Sequence, residues 1–464
     1  MDGLECSEIL LSKVQETYDF RTEAEFYKKE FVAIHKKLIA LDAVPLANGL
    51  SSLVTDGTHY TPNYTESGIP FLSALNVQEN YLDVSAGFKY ISAEQHKELS
   101  RRVLPQYKDV LLRKVGVGMR KACVVPRDAF EFSIFVSVAL IRPKINSYLL
   151  STYINSRFGQ LQLLRFNKGI SQPDLHLEDI GRMLVPIFSN TFISAIETLV
   201  LSAESLLKQS AIVFGEATNI LNDCLKINTN GKRDTRYSIK QYSKSFESTG
   251  RLDAEYYDYK YEHIESQLIE AIPLKRSCWL HDDTFIPNDT AEYQYIELSN
   301  VDKVGGISNV EIIIGKDLPN RARRLVKTGQ VIVSSIEGSL PSCALITSKY
   351  NNALCSTGFY VVDSPNYNSE TLLLLFKSEP IQAMLKKRCS GTILTGISKD
   401  EFERMPLPHV NESVQKIVAC KVQESFQLRD ECANMLDLAV KTVEMAIEID
   451  EATALEWIKD KVGW

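Results

Sequence analysis

The chain has 464 residues, of which 44% are hydrophobic and 24% charged, an ordinary globular composition with room for two to four domains of roughly 100–200 residues each. That excludes a largely disordered chain, a collagen-like fibre and a disulfide mini-protein. With 52 Lys and Arg against 59 Asp and Glu, the formal net charge of −7 argues against a protein that coats nucleic acid through bulk positive charge.

In chain order, residues 1–18 carry Asp2, Glu5 and Glu8 where a signal peptide would be basic and then apolar. A short helical lead is predicted over 23–41. The segment 43–187 is mixed: strand-like runs at 110–115 and 132–141, a helical stretch at 149–164, and a close on Pro186. A long helix follows from about residue 190 to 221. In it Phe192, Ile196, Leu199, Ala203, Leu206, Ser210, Val213, Ala217 and Ile220 alternate spacings of four and three, the a/d seam of a coiled coil. The same grammar then restarts. A helical lead is predicted at 253–271, strand-like runs at 331–336 and 358–362, a helical stretch at 370–387, and a close on Pro408. A second heptad stripe ends the chain: Val418, Val422, Ser425, Leu428, Cys432, Met435, Ala439, Val443 and Ala446. Two such stripes most simply pack on each other.

The restart is an internal repeat. Arg21-Thr-Glu-Ala-Glu-Phe-Tyr27 recurs as Arg251-Leu-Asp-Ala-Glu-Tyr-Tyr257, and Tyr60-Thr-Pro-Asn63 as Phe285-Ile-Pro-Asn288. Asn76-Val77 recurs as Asn300-Val301. Asp109-Val-Leu-Leu112, then Gly118 and Cys123, parallels Gln330-Val-Ile-Val333, then Gly338 and Cys343. Gly169, Arg182-Met183 and Pro186 match Gly391, Arg404-Met405 and Pro408. The order is kept throughout, at offsets between 220 and 230. A period this long excludes a solenoid or propeller and means two copies of one module related by a pseudo-twofold axis. The expected class is α+β, with two mixed α/β domains separated by two long helices packed as an antiparallel coiled coil. The expected boundaries are 1–42 (lead-in), 43–187 (first domain), 188–271 (central helix and second lead-in), 272–408 (second domain) and 409–464 (C-terminal helix).

Charge divides by module. Residues 43–187 hold 16 Lys/Arg against 12 Asp/Glu, residues 272–408 hold 15 against 15, and the helical remainder carries a net −11. The acidity belongs to the helices and connectors, so the mixed domains are free to approach an anion.

Motifs of catalysis are missing. There is no Gly-x-Gly-x-x-Gly, no phosphate loop, no Asn/Asp-Pro-Pro-aromatic tetrapeptide, no Gly-x-Ser-x-Gly elbow and no His-Glu-x-x-His. The nine cysteines and seven histidines lie singly, with no metal-ligand spacing, so no metal site is expected and the cysteines read as reduced thiols of a cytoplasmic protein. Cys123 and Cys343 read as small core hydrophobes. No run reaches the ~18–20 apolar residues of a membrane span.

Candidate nucleic-acid contacts do occur. Arg113-Lys114 and Arg120-Lys121 flank a glycine-rich turn, which suits backbone approaching phosphates, although a solvated hairpin end has the same composition. Arg165 and Lys168 precede Gly169-Ile-Ser-Gln172, where Gln172 and the basic residues are of the types that read base edges. In the second copy Arg321, Arg323 and Arg324 cluster, and Lys386-Lys387-Arg388 stand where Arg165 stands in the first. Two polar, aromatic, turn-rich loops, 55–63 (with Thr58, His59 and Tyr60) and 281–288, have the character of recognition loops or of plain turns.

Arg251–Tyr257, Asp56-Gly-Thr-His-Tyr-Thr-Pro62 with Gly68-Ile-Pro-Phe-Leu72, Asp109–Leu112 with Gly116 and Gly118, and the closing Asp400–Pro408 give the chain a resemblance to the specificity (S) subunit of type I restriction–modification systems. The resemblance spans nearly the whole chain. It implies two target recognition domains, each reading half of a bipartite asymmetric site in double-stranded DNA, and coiled-coil helices on which two methyltransferase subunits and restriction/translocase subunits assemble. It implies no catalysis and no cofactor in this chain. S-adenosylmethionine, and ATP with Mg, would sit on those partners. The coiled-coil seam residues singled out are Ile196, Leu199, Leu206, Val213, Ile220, Val418, Leu428 and Met435. The competing reading is a non-catalytic interaction scaffold built on the same duplicated domain and helices.

Overall fold

Both mixed segments are built on one strand order. In the first, Ser51–Asp56, Val138–Pro143, Val110–Arg113 and Ala122–Val124 form an antiparallel sheet in that order. In the second, Trp279–His281, Phe359–Asp363, Val331–Ser334 and Cys343–Leu345 repeat it. The computed structural model describes residues 8–15, 20–83, 87–116, 120–168, 173–231, 237, 239–268, 270–308, 310–391 and 395–463. The chain falls into two compact units, residues 1–207 with 430–464 and residues 208–429.

The inner strands of both large sheets are apolar without alternation because both of their faces are covered. Val110, Leu112, Ala139 and Ile141 face the helices of the first unit, while Leu111, Val138 and Leu140 face a second core with Leu72 and Ile134. In the second unit Val331, Val333 and Val362 divide from Ile332, Ala344 and Val361 in the same way. A second small sheet covers the far face. Ile69–Leu72 pairs antiparallel with Lys89–Ile91 and parallel with Ser133–Ile134. Glu292–Ile296 does the same with Glu311–Ile314 and Leu354–Ser356. Here the copies diverge. The first follows its edge strand with the helix Ala93–Leu99, and the second adds the strand Ala322–Leu325.

The run 132–141 splits, since Ser133–Ile134 joins the small sheet and Val138–Pro143 the large one. Each expected helical stretch is two helices: Ser147–Asn155 and Arg157–Phe166 in the first copy, Ser369–Lys377 and Glu379–Lys387 in the second. The breaks fall at Ser156 and Ser378, both in extended backbone. Strand register also moves one repeat pairing by a residue. Cys123 lies opposite Leu111 and Cys343 opposite Val333, so Cys343 is equivalent to Ala122 rather than to Cys123. Both thiols are fully buried.

The two long helices, Asn190–Leu225 and Glu412–Glu448, have 36 and 37 residues, ~54 and ~56 Å at 1.5 Å per residue. In the first unit Phe192, Ile196, Leu199 and Ala203 share a core with Cys432, Leu436, Ala439 and Val443. In the second, Ala217 and Leu221 share one with Val418 and Val422. There Ser210 Oγ meets Ser425 Oγ at 2.9 Å and Glu216 pairs with Lys421 at 2.5 Å, so the paired numbers run in opposite senses and the helices are antiparallel. Val213 is buried with them, while Leu206, Ile220, Leu428 and Met435 are only half-buried. Leu221 and Leu436, one residue on from two of these, are buried instead. A 3.6-residue helix drifts about 20° per heptad against a strict 3.5 repeat, which produces this kind of slip.

Candidate nucleic-acid interface

The repeated lead-in motif is a clamp. Arg21 pairs with Glu23, its guanidinium lies 4.8 Å from the Phe26 ring, and Tyr27 Oη donates to its carbonyl at 2.7 Å. Arg251 pairs with Asp253, lies 4.4 Å from the Tyr256 ring, and receives the same bond from Tyr257. Each clamp holds the cation that ends the paired helices. Arg165 sits 4.1 Å over Phe26 and donates Nε to the Phe26 carbonyl. Lys387 sits 4.7 Å over Tyr256 and bonds Glu265 Oε2 at 2.6 Å.

This redirects several sequence expectations. Arg165 and Lys387 occupy equivalent places because both fasten the lead-in, and burial pulls the pKa of each below its ordinary value. Arg388 is buried on Glu265 and on the Met384 carbonyl. Arg120 is 1% exposed and donates to Asn167 Oδ1 and the Pro173 carbonyl, and burial pushes its guanidinium down to about 10. Lys114 is buried between Asp56 and Asp174, 3.3 Å from each. Arg113 is half-buried and donates to the Ala74 carbonyl. Lys121 is half-buried on Gln78 Oε1, and Lys168 pairs with Asp179 at 3.3 Å. Their charge is spent inside the domain, because a cation taken from water is retained only where oxygens satisfy it. Gln172, with residues 117–119 and 169–171, lies outside the described residues.

Of the candidate cations in the second copy, Arg321, 3.9 Å from Glu297, and Lys386, 3.9 Å from Glu255, lie at the surface. Arg323 is half-buried, with no polar partner for its side chain among the described residues. Arg324 turns inward to the His281 carbonyl.

In the first copy the loop 55–63 surrounds a buried acid. The strand Ser51–Asp56 carries Asp56 to its end, where its side chain is 2% exposed. Arg102 Nη2 donates to Asp56 Oδ1 at 2.7 Å, His59 Nε2 stands 3.2 Å from the same oxygen, and Lys114 Nζ lies 3.3 Å from Oδ2. Gly57 lets the chain turn away, since a Cβ there would fall 2.0 Å from the Ile134 carbonyl oxygen. Thr58 is buried and bridges to Phe135, whereas Tyr60 is half-exposed. Thr58, His59, Tyr60 and Arg102, with Leu99 and Ser133, line a cavity of about 240 Å³. Sequence reading finds the loop but misses Arg102, which lies 42 residues beyond Tyr60 after the helix Ala93–Leu99. The signal available for Asp56 is its counterpart Asp282, which comes directly after the equivalent strand Trp279–His281. Lys399 holds Asp282 at 2.7 Å and, with Arg324 farther off, depresses its pKa.

Among the described residues no group of three or more His, Cys, Asp or Glu could hold a metal ion, and no helix is long and apolar enough to cross a membrane. No family model and no curated protein matches the chain. Solved structures do. A type I restriction–modification S subunit from M. genitalium is similar at 12% identity with a TM-score of 0.37, over 85% of this chain and 94% of that one. The HsdS subunit from Thermoanaerobacter tengcongensis is similar at 13% identity with a TM-score of 0.26, over 88% and 96%. A third, from a study of type I R-M complex assembly and conformational transition, has 13% identity and a TM-score of 0.27, over 87% and 95%.

Proposed function

We propose that this chain is the DNA-specificity subunit of a type I restriction–modification complex, a non-catalytic reader of a bipartite asymmetric site in double-stranded DNA. The observation that carries this reading is a scaffold built twice with divergent polar equipment at equivalent places. The strand order and the lead-in clamp repeat, while the loop, its neighbouring element and the partners of Asp56 and Asp282 differ. Two readers of one fold with unlike surfaces suit two half-sites of unlike sequence. The acidic helices repel phosphates and offer charge to proteins instead. Two methyltransferase subunits carrying S-adenosylmethionine, and restriction/translocase subunits using ATP with Mg, are the proposed partners, in the cytoplasm.

Methylome sequencing of a strain with and without the gene tests the reading. One bipartite methylated motif is expected to disappear on deletion. An unchanged methylome in a strain that expresses the chain contradicts it.

A further inference from the structure

We propose that Arg102 is a base-reading side chain of the first copy, that guanine is the base it reads, and that buried Asp56 is its positioning residue. The proposal rests on the DNA-specificity reading and names a contact within it. Arg102 is half-exposed, with a side-chain exposure of 51%, yet it is not free to wander. Its Nη2 is fixed at 2.7 Å on a carboxylate that is itself locked by the pairing of Asp56 with Ala139 and by buried Lys114. Nε and Nη1 make no hydrogen bond among the described residues. One edge of the guanidinium is therefore oriented and the rest of the fork is presented.

A phosphate contact needs no such arrangement. Phosphate is met by charge from any direction, and an adjacent carboxylate weakens that attraction. A base edge is met in one plane, and the fork of arginine matches O6 and N7 of guanine in the major groove. A carboxylate behind the arginine sacrifices charge and gains orientation, the exchange a reader needs. His59 stands 3.4 Å from Arg102 Nη2, and half-exposed Tyr60 lines the same cavity. Among the described residues the second copy has no arginine hydrogen-bonded to the equivalent acid. Asp282 is taken by Lys399, a point charge without a planar fork, so the two half-sites are read by different means.

The test restores the deletion strain with the wild-type gene or with Arg102→Ala, Arg102→Lys or Asp56→Asn, and maps methylation. Discrimination of the purified complex between its own site and single-base variants is measured alongside. The wild type should restore one bipartite motif. Arg102→Ala and Arg102→Lys should make one G·C position of one half-site degenerate, with the other half and the spacer unchanged, and discrimination at that position should fall about 10–100-fold. Asp56→Asn, with Arg102 still present, should loosen the same position and no other.

An intact motif and undiminished discrimination in both Arg102 variants overturns the proposal. So does an equal loss of affinity for cognate and unrelated DNA with the salt slope reduced by about one, the signature of a phosphate contact. If the wild-type gene restores no motif, the specificity reading itself fails. If it does and the Arg102 variants match it, only this assignment fails.

Discussion

The two mixed domains share a hydrogen-bond frame and differ in what they bury. Val125 N donates to the Asp109 carbonyl and Ile346 N to the Gln330 carbonyl, both at 2.8 Å. Leu175 N donates to the carbonyl of Lys114 and Ile397 N to that of Ser335. Yet the side chain at this shared place is a buried lysine between two aspartates in one copy. In the other it is a serine that donates to the Gly358 carbonyl at 2.9 Å. Asp109 and its counterpart Gln330 both cap the preceding turn, accepting from Gln106 N and Lys327 N, but Asp109 also holds Arg142 through two oxygens. Backbone bonds define the fold, and one frame accepts either ionic or neutral filling. The ionic filling in the first copy extends to the surface at Arg102, the side chain proposed to read a base.

The contrast can be broken by substitution. The largest effect is expected for Phe26→Ala. The ring is buried between Arg21 and Arg165, and its loss should cost roughly 3–5 kcal/mol. Tyr256→Ala in the second clamp should cost clearly less, since Tyr256 is only half-buried and Lys387 keeps Glu265. Next comes Lys114→Ala, which leaves Asp56 buried with Arg102 and His59 alone. A buried pair that loses one member costs about 3 kcal/mol at the low end of its range. Ser335→Ala should cost only about 1 kcal/mol, one hydrogen bond. Urea unfolding of the full chain checks all four, and equal costs at Lys114 and Ser335 would show that the ionic filling is incidental.

Much of the architecture is legible in the sequence because apolar spacing and duplication are local signals. The repeat at Arg21–Tyr27 and Arg251–Tyr257, the antiparallel long helices and the apolar strands all follow from them. The site was harder to read, for a physical reason. Basic residues look alike in sequence, and only burial separates Arg120 and Arg165, whose charge is spent inside, from Arg102, whose fork is held outward. The pairing of Arg102 with Asp56 spans 46 positions and depends on where the helix Ala93–Leu99 ends. No periodicity carries that information. The matched positions of Arg165 and Lys387 also correspond to a shared clamp on the lead-in, which the repeat alone does not reveal.

Each mixed domain is proposed to read its own half-site. This is tested most directly by replacing residues 43–187 with the corresponding domain of a related subunit of known specificity and mapping methylation in the strain. The expected motif has one half exchanged and the other half intact. A change in both halves, or in neither, would contradict that reading.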